Sequence, residues 1–122
     1  MSGNEKQYDL EERTLKFSEN VIIFVSRIKK DVITTPLISQ LVRSATSIGA
    51  NYCEANGASS KKDFKNKIYI CKKEAKETKY WLQLILKAVP ETIEDCKTYL
   101  KEVHELTLIF SKIVQSIEKQ KN

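Results

Sequence analysis

Glycine and proline are scarce, at three and two residues in 122. Folds built from many short strands need frequent turns, so this scarcity argues for a few long helices. The single histidine, His104, forms no Glu-x-x-His pair, which the di-iron bundles require. No Ser-His-Asp set, glycine-rich phosphate loop or dinucleotide fingerprint is written either. Glu54 and Glu77 would make an acid–base pair only on paper, since nothing beside them defines a substrate pocket. The three cysteines, Cys53, Cys71 and Cys96, are far apart and odd in number. Without a Cys-x-x-Cys pair they make neither a zinc knuckle nor a redox dithiol. They read instead as small apolar side chains in a reducing compartment. No apolar run approaches the roughly 18 residues of a membrane span, and the polar start Met-Ser-Gly-Asn-Glu-Lys lacks the apolar core of an export signal. The expectation is a cytoplasmic protein that is not an enzyme and holds no metal or cofactor.

What remains is helical periodicity. At 100° per residue, Leu10, Thr14, Phe17, Val21, Phe24, Val25 and Ile28 share one face. They predict a first helix over residues 10–29, capped by Asp9 with Glu12 three residues on. The tails, Met1 to Tyr8 and Gln120 to Asn122, are expected to fray. Thr35 before Pro36 reads as a helix start. The second helix, 36–55, carries Leu37, Leu41, Ala45, Ile48, Tyr52 and Ala55 inward and stops near Asn56-Gly57. The third, 61–88, is capped by Ser60 with Asp63 in its first turn and ended by Pro90. Phe64, Ile68, Cys71, Ala75, Thr78, Leu82 and Ile85 form its stripe. The fourth, 92–119, is capped by Thr92 or Glu91. It turns Cys96, Tyr99, Leu100, Val103, Leu106, Phe110, Ile113, Val114 and Ile117 inward. Four amphipathic helices on short connections predict one domain, an all-α, antiparallel, up-down-up-down four-helix bundle.

The charge is unevenly placed. Residues 61–79 hold eight lysines against Asp63, Glu74 and Glu77, which equals the whole formal charge of +5. Lys61, Lys62, Lys65, Lys72, Lys73, Lys76 and Lys79 fall within about 120° of the third helix, and Tyr69 and Tyr80 lie inside that arc. Amines that displace counterions, interleaved with rings that stack on unpaired bases, suit RNA or DNA. A merely solvated lysine face is the other reading.

Apolar side chains also recur outside the stripes. Ile70, Trp81 and Leu84 lie roughly opposite the core stripe of the third helix. Leu15 and Ile22 on the first helix, and Ile38, Val42 and Cys53 on the second, make similar strips. A lone bundle would expose them, so they predict a subunit interface anchored by Trp81, unless helix ends or tails fold over them.

Finally, Gln40, Arg43, Ser47, Asn51 and Glu54 share about 80° of the second helix. They suit hydrogen bonds across a helix or subunit contact, with Arg43 pairing a carboxylate, or direct ligand binding. Residues 40–55 read Gln-Leu-Val-Arg-Ser-Ala-Thr-Ser-Ile-Gly-Ala-Asn-Tyr-Cys-Glu-Ala. This resembles the signature of the bacterial four helix bundle protein family, also called the 23S rRNA intervening-sequence or S23-like family. Gln40, Leu41, Arg43, Ser44, Ser47, Ile48, Asn51 and Glu54 match it. Lys61-Lys62-Asp63-Phe64, Ala75, Glu77 and Leu82 resemble its third helix. The likeness spans about Phe17 to Leu86. Ala55-Asn56-Gly57 departs from it, since the family places glycine directly after the glutamate. The resemblance implies a bundle that assembles as a homopentamer. The family is also similar to the accessory protein of diversity-generating retroelements, a basic pentamer that binds nucleic acid and a reverse transcriptase. The resemblance thus allows a nucleic-acid partner or a protein partner. Read with the lysine face, it favours a homo-oligomer that binds nucleic acid, with a protein scaffold or accessory subunit as the alternative.

Overall fold

A computed structural model describes the backbone of residues 2–120 and the side chains of residues 10–120. The helices are α1 (Ser2–Ser26), α2 (Thr34–Asn56), α3 (Lys61–Ala88) and α4 (Ile93–Gln120), with a single 3-10 turn, Pro90–Thr92, before α4. Among the described residues there is no strand. Each helix packs on its neighbour in sequence and α4 closes against α1, whereas the diagonal pairs do not approach. This is the all-α, antiparallel four-helix bundle expected from the sequence.

The predicted stripes form its centre. All seven residues of the first stripe are buried, as are Leu41, Ala45, Ile48, Tyr52 and Ala55 of the second. Opposite them lie Ile68, Cys71, Ala75, Thr78, Leu82 and Ile85 of α3. Cys96, Val103, Leu106, Phe110 and Val114 complete the core from α4. Small residues set how closely α2 approaches its neighbours. A Cβ at Gly49 would lie 3.0 Å from Thr14 Oγ1 and 3.1 Å from Thr14 Cβ, so glycine permits the α1–α2 contact. Toward α3, Thr78 Oγ1 meets Ser44 Oγ at 2.9 Å in the buried seam.

The helix ends differ from expectation. α1 begins at Ser2, so Asp9 lies inside it rather than capping it, and residues 2–8 are helical. Met1, Lys121 and Asn122 lie outside the described residues. α1 ends at Ser26, with Lys30 Nζ donating to the carbonyls of Val25 and Ile28. α2 starts one residue before the expected Thr35 cap. Asp31 Oδ1 accepts the backbone N–H groups of Ile33 and Thr34 at 2.8 and 2.9 Å. The Thr34 hydroxyl accepts from Asp31 N and donates to Lys29 O. A carboxylate three residues ahead thus wins the free donors over a threonine hydroxyl. Ser60 Oγ accepts from Asp63 N at 3.0 Å, as read from the sequence. The Thr92 hydroxyl donates back to Val89 O inside the 3-10 turn. Gly57 closes α2 with φ −98°, so no left-handed residue is needed there.

Candidate nucleic-acid interface

α3 sorts its charges by side. Its N-terminus is fixed by the Ser60 cap and its inner face by the core stripe, which leaves the remaining faces to solvent and to the flanks of α2 and α4. On the α2 flank, Arg43 donates to Glu74 Oε1 at 3.2 Å and to Glu77, while Gln40 accepts from Arg43 Nε. The hydrogen bond to Glu77, foremost, raises the Arg43 pKa further above its already high value. Lower on the same flank, Lys67 Nζ lies 2.8 Å from Glu54. The acids of α3 are therefore drawn toward α2.

The lysines stand on the other side. Lys61, Lys62, Lys73, Lys76 and Lys79 are exposed, and Lys65 and Lys72 half-buried. Lys65 pairs with Glu118 of α4 and sits 5.9 Å from the centre of the Tyr69 ring. Lys73 lies 3.9 Å from Glu74. Among the described residues, Lys61, Lys62, Lys72, Lys76 and Lys79 make no ion pair. Lys61, Lys62 and Lys65 line a hollow of about 600 Å³ with Asn66, Ile117 and Gln120. Tyr69 and Tyr80 are 43% and 55% exposed. Tyr80 meets Trp81 edge-on, with ring centres 5.1 Å apart.

The residues expected at a subunit interface separate into three groups. Leu15 and Ile22 remain 59% and 49% exposed. They share the outer side of α1 with Ile23, whose 50% exposure the sequence reading overlooked. Leu15 edges a groove of about 480 Å³ with Thr46, Gly49, Ala50 and Cys53 of α2. Ile38 is corrected: it is buried within the chain, where it joins the hydrophobic core beside Leu41 rather than facing outward. Val42 and Trp81 pack half-buried against the core, and Ile70 and Leu84 are half-buried, so this α3 strip is not the open patch expected. The polar ribbon bonds within the chain. Ser47 donates to Arg43 O, Asn51 to Ser47 O, and Arg43 and Glu54 reach α3.

A second bridge went unread. Arg13 of α1 donates to both carboxylate oxygens of Glu102 at 2.6 and 2.8 Å, and to Glu105 at 2.8 Å. It spans a groove of about 610 Å³ between α1 and α4, whose lining includes Phe17 and Tyr99. The signal was an arginine beside the first stripe and two glutamates, three apart, beside the fourth. Buried Cys71 is no nucleophile, since desolvation pushes its thiol up to about 12. Among the described residues no three His, Cys, Asp or Glu side chains gather as a metal site needs. Nor is any described helix long and apolar enough to cross a membrane.

The family model of the 23S rRNA-intervening sequence protein matches residues 6–119. The chain belongs to this family. A solved structure from Bacteroides thetaiotaomicron VPI-5482, described as a protein with unknown function from the S23 ribosomal protein family, has the same fold. It is 33% identical, with TM-score 0.76 over 85% of this chain and 96% of that one. No curated protein matches the chain. The match to the 23S rRNA-intervening sequence family spans the Gln40–Glu54 ribbon. Two of its residues, Arg43 and Glu54, tie α2 to α3, while Gln40, Ser47 and Asn51 bond within α2.

Proposed function

We propose that this protein is a cytoplasmic, non-enzymatic homo-oligomer that binds RNA or DNA along the lysine face of α3. The observation that carries the reading is the sorting of charge on that helix. Arg43 holds Glu74 and Glu77 on the α2 flank, and none of Lys61, Lys62, Lys72, Lys76 and Lys79 is ion-paired to an acid of the same helix among the described residues. Clustered ammonium groups of this kind release counterions from phosphates, giving affinity that falls steeply with salt.

Assembly is proposed through the outer side of α1, where Leu15, Ile22 and Ile23 stay half exposed, Leu15 beside Gly49 and Ala50 of α2. Small residues let a neighbouring helix approach, and the likeness to the family favours five subunits. A ring repeats the lysine face and multiplies weak contacts through avidity.

Charge reversal of Lys72, Lys76 and Lys79 to glutamate abolishes a low-salt gel shift on this reading. Unchanged binding would refute it. An unshifted oligonucleotide with the native protein, and a preparation free of absorbance near 260 nm, would point to a protein partner instead. Light scattering tests assembly: Leu15→Glu with Ile22→Glu yields monomers, and an unaltered mass removes the proposed interface.

A further inference from the structure

We infer that the α3 face takes unpaired strands in preference to duplex, with Tyr69 and Tyr80 as stacking platforms for bases. The inference rests on the nucleic-acid reading and narrows it to one class of ligand. The two tyrosines are eleven residues apart. That spacing returns them to within about 20° of the same direction and sets them about 16 Å apart along the axis. Lys72, Lys73 and Lys76 lie between them in sequence, with Lys62 before the first ring and Lys79 beside the second.

Each ring is steadied yet uncovered. The Lys65 ammonium sits 5.9 Å from the Tyr69 centroid, and Trp81 meets Tyr80 at 75°. Both tyrosines nonetheless expose about half their surface. A ring that already has a neighbour loses less freedom on binding than an unsupported one. Duplex encloses its base faces in its own stack and offers α3 phosphates and groove edges but no open face for a ring. An unpaired strand offers phosphates to the lysines and bases to the rings. The two kinds of contact also differ in salt response. Each phosphate contact adds to the salt slope, whereas stacking leaves it unchanged. The five lysines that make no ion pair among the described residues set a slope of about −3.5 per subunit for a single strand.

The test uses the full chain and a fluorescein-labelled oligonucleotide of mixed sequence, made as RNA and as DNA. Each is titrated alone and annealed to its complement, at several salt concentrations. In both sugar series the single strand binds more tightly than the duplex. Tyr69→Ala and Tyr80→Ala each weaken strand binding by roughly five- to 150-fold, with the salt slope and the duplex affinity unchanged. Tyr69→Phe and Tyr80→Phe keep the affinity, because the ring does the binding. The fluorescence of Trp81 changes when a strand binds, and the change is lost in Tyr80→Ala. A helical circular dichroism spectrum confirms that the variants are folded, as expected for exposed side chains.

Equal or tighter binding of duplex overturns the inference. So does unchanged strand binding in both alanine variants. If lysine reversal abolishes both ligands equally while the tyrosines are silent, the lysine face stands and the stacking platform falls. If no oligonucleotide binds at all, both fall together.

Discussion

The α2/α3 seam and the α1/α4 seam each carry an arginine held between two glutamates three residues apart. Arg43 lies between Glu74 and Glu77, and Arg13 between Glu102 and Glu105. Beneath the bridges the seams diverge. At α2/α3 the contact residues are small, with Ser44, Ala45, Ala75 and Thr78 fully buried. At α1/α4, large rings hold the helices apart: Tyr99 lies 6.3 Å from Phe17 and 5.3 Å from Phe24, and the groove opens beside them. In one seam the arginine decorates a contact that packing already closes, and in the other it spans a gap. The strength of a bridge then depends on what its removal leaves stranded, more than on its length.

The largest expected effect contrasts the seams directly. Ser44→Leu puts a bulky side chain where α2 meets α3 and removes a partner of Thr78. Overpacking of that kind costs about 3 kcal/mol. Thr98→Leu makes a comparable enlargement on the rim of the α1/α4 groove, where there is room, and stays within about 0.5 kcal/mol of the parent. Urea midpoints of the two variants decide the matter. Equal losses would mean that the seams are equally tight.

The arginines come next. Removing Arg43 leaves the Glu74 carboxylate almost fully buried, with only Lys73 at 3.9 Å. Removing Arg13 leaves Glu102 and Glu105, which are partly exposed and able to turn to water. Arg43→Ala is therefore expected to cost about 1–2 kcal/mol, and Arg13→Ala less than about 1 kcal/mol, as partly exposed pairs do. Adding Glu74→Gln to Arg43→Ala should recover part of the loss, because the stranded charge is gone. If the double variant is no more stable than the single one, stranding is not the cause.

The same contrast explains what the sequence made legible. Burial followed the 3.6-residue period closely, since a stripe such as Phe17, Val21 and Phe24 is a property of one helix alone. The Ser60–Asp63 cap was likewise local. Arg13 was not legible, because its partners depend on the register of α4 against α1, which no single helix encodes. Trp81 was misread for a related reason. Its position opposite the stripe is correct, but it lies against the core rather than in the open. Of the candidate interface, the sorting of lysines from acids was readable along α3. The role of Arg43 in holding those acids aside needed the α2/α3 contact. At the start of α2, two threonines and a proline pointed to Thr35, while the competing Asp31 stood just upstream.

That connection gives the smallest effect, and one that pH can isolate. Hydrogen bonds from the Thr34 and then the Ile33 backbone hold the Asp31 carboxyl below its usual pKa. A group whose pKa is depressed by folding contributes stability above its unfolded pKa, near 3.9, and loses it as pH falls through the lower folded value. Asp31→Ala should therefore lower the melting temperature at neutral pH. Its deficit should shrink as the solution is acidified below about pH 4. The α3–α4 connection offers a control within the same molecule. There Thr92 uses a hydroxyl on Val89 O, so Thr92→Val should show a deficit that does not vary over that pH range. A constant deficit for Asp31→Ala would mean that the side chain acts by shape alone. A shrinking one would show that charge fastens the first helical hairpin of the bundle and not the second.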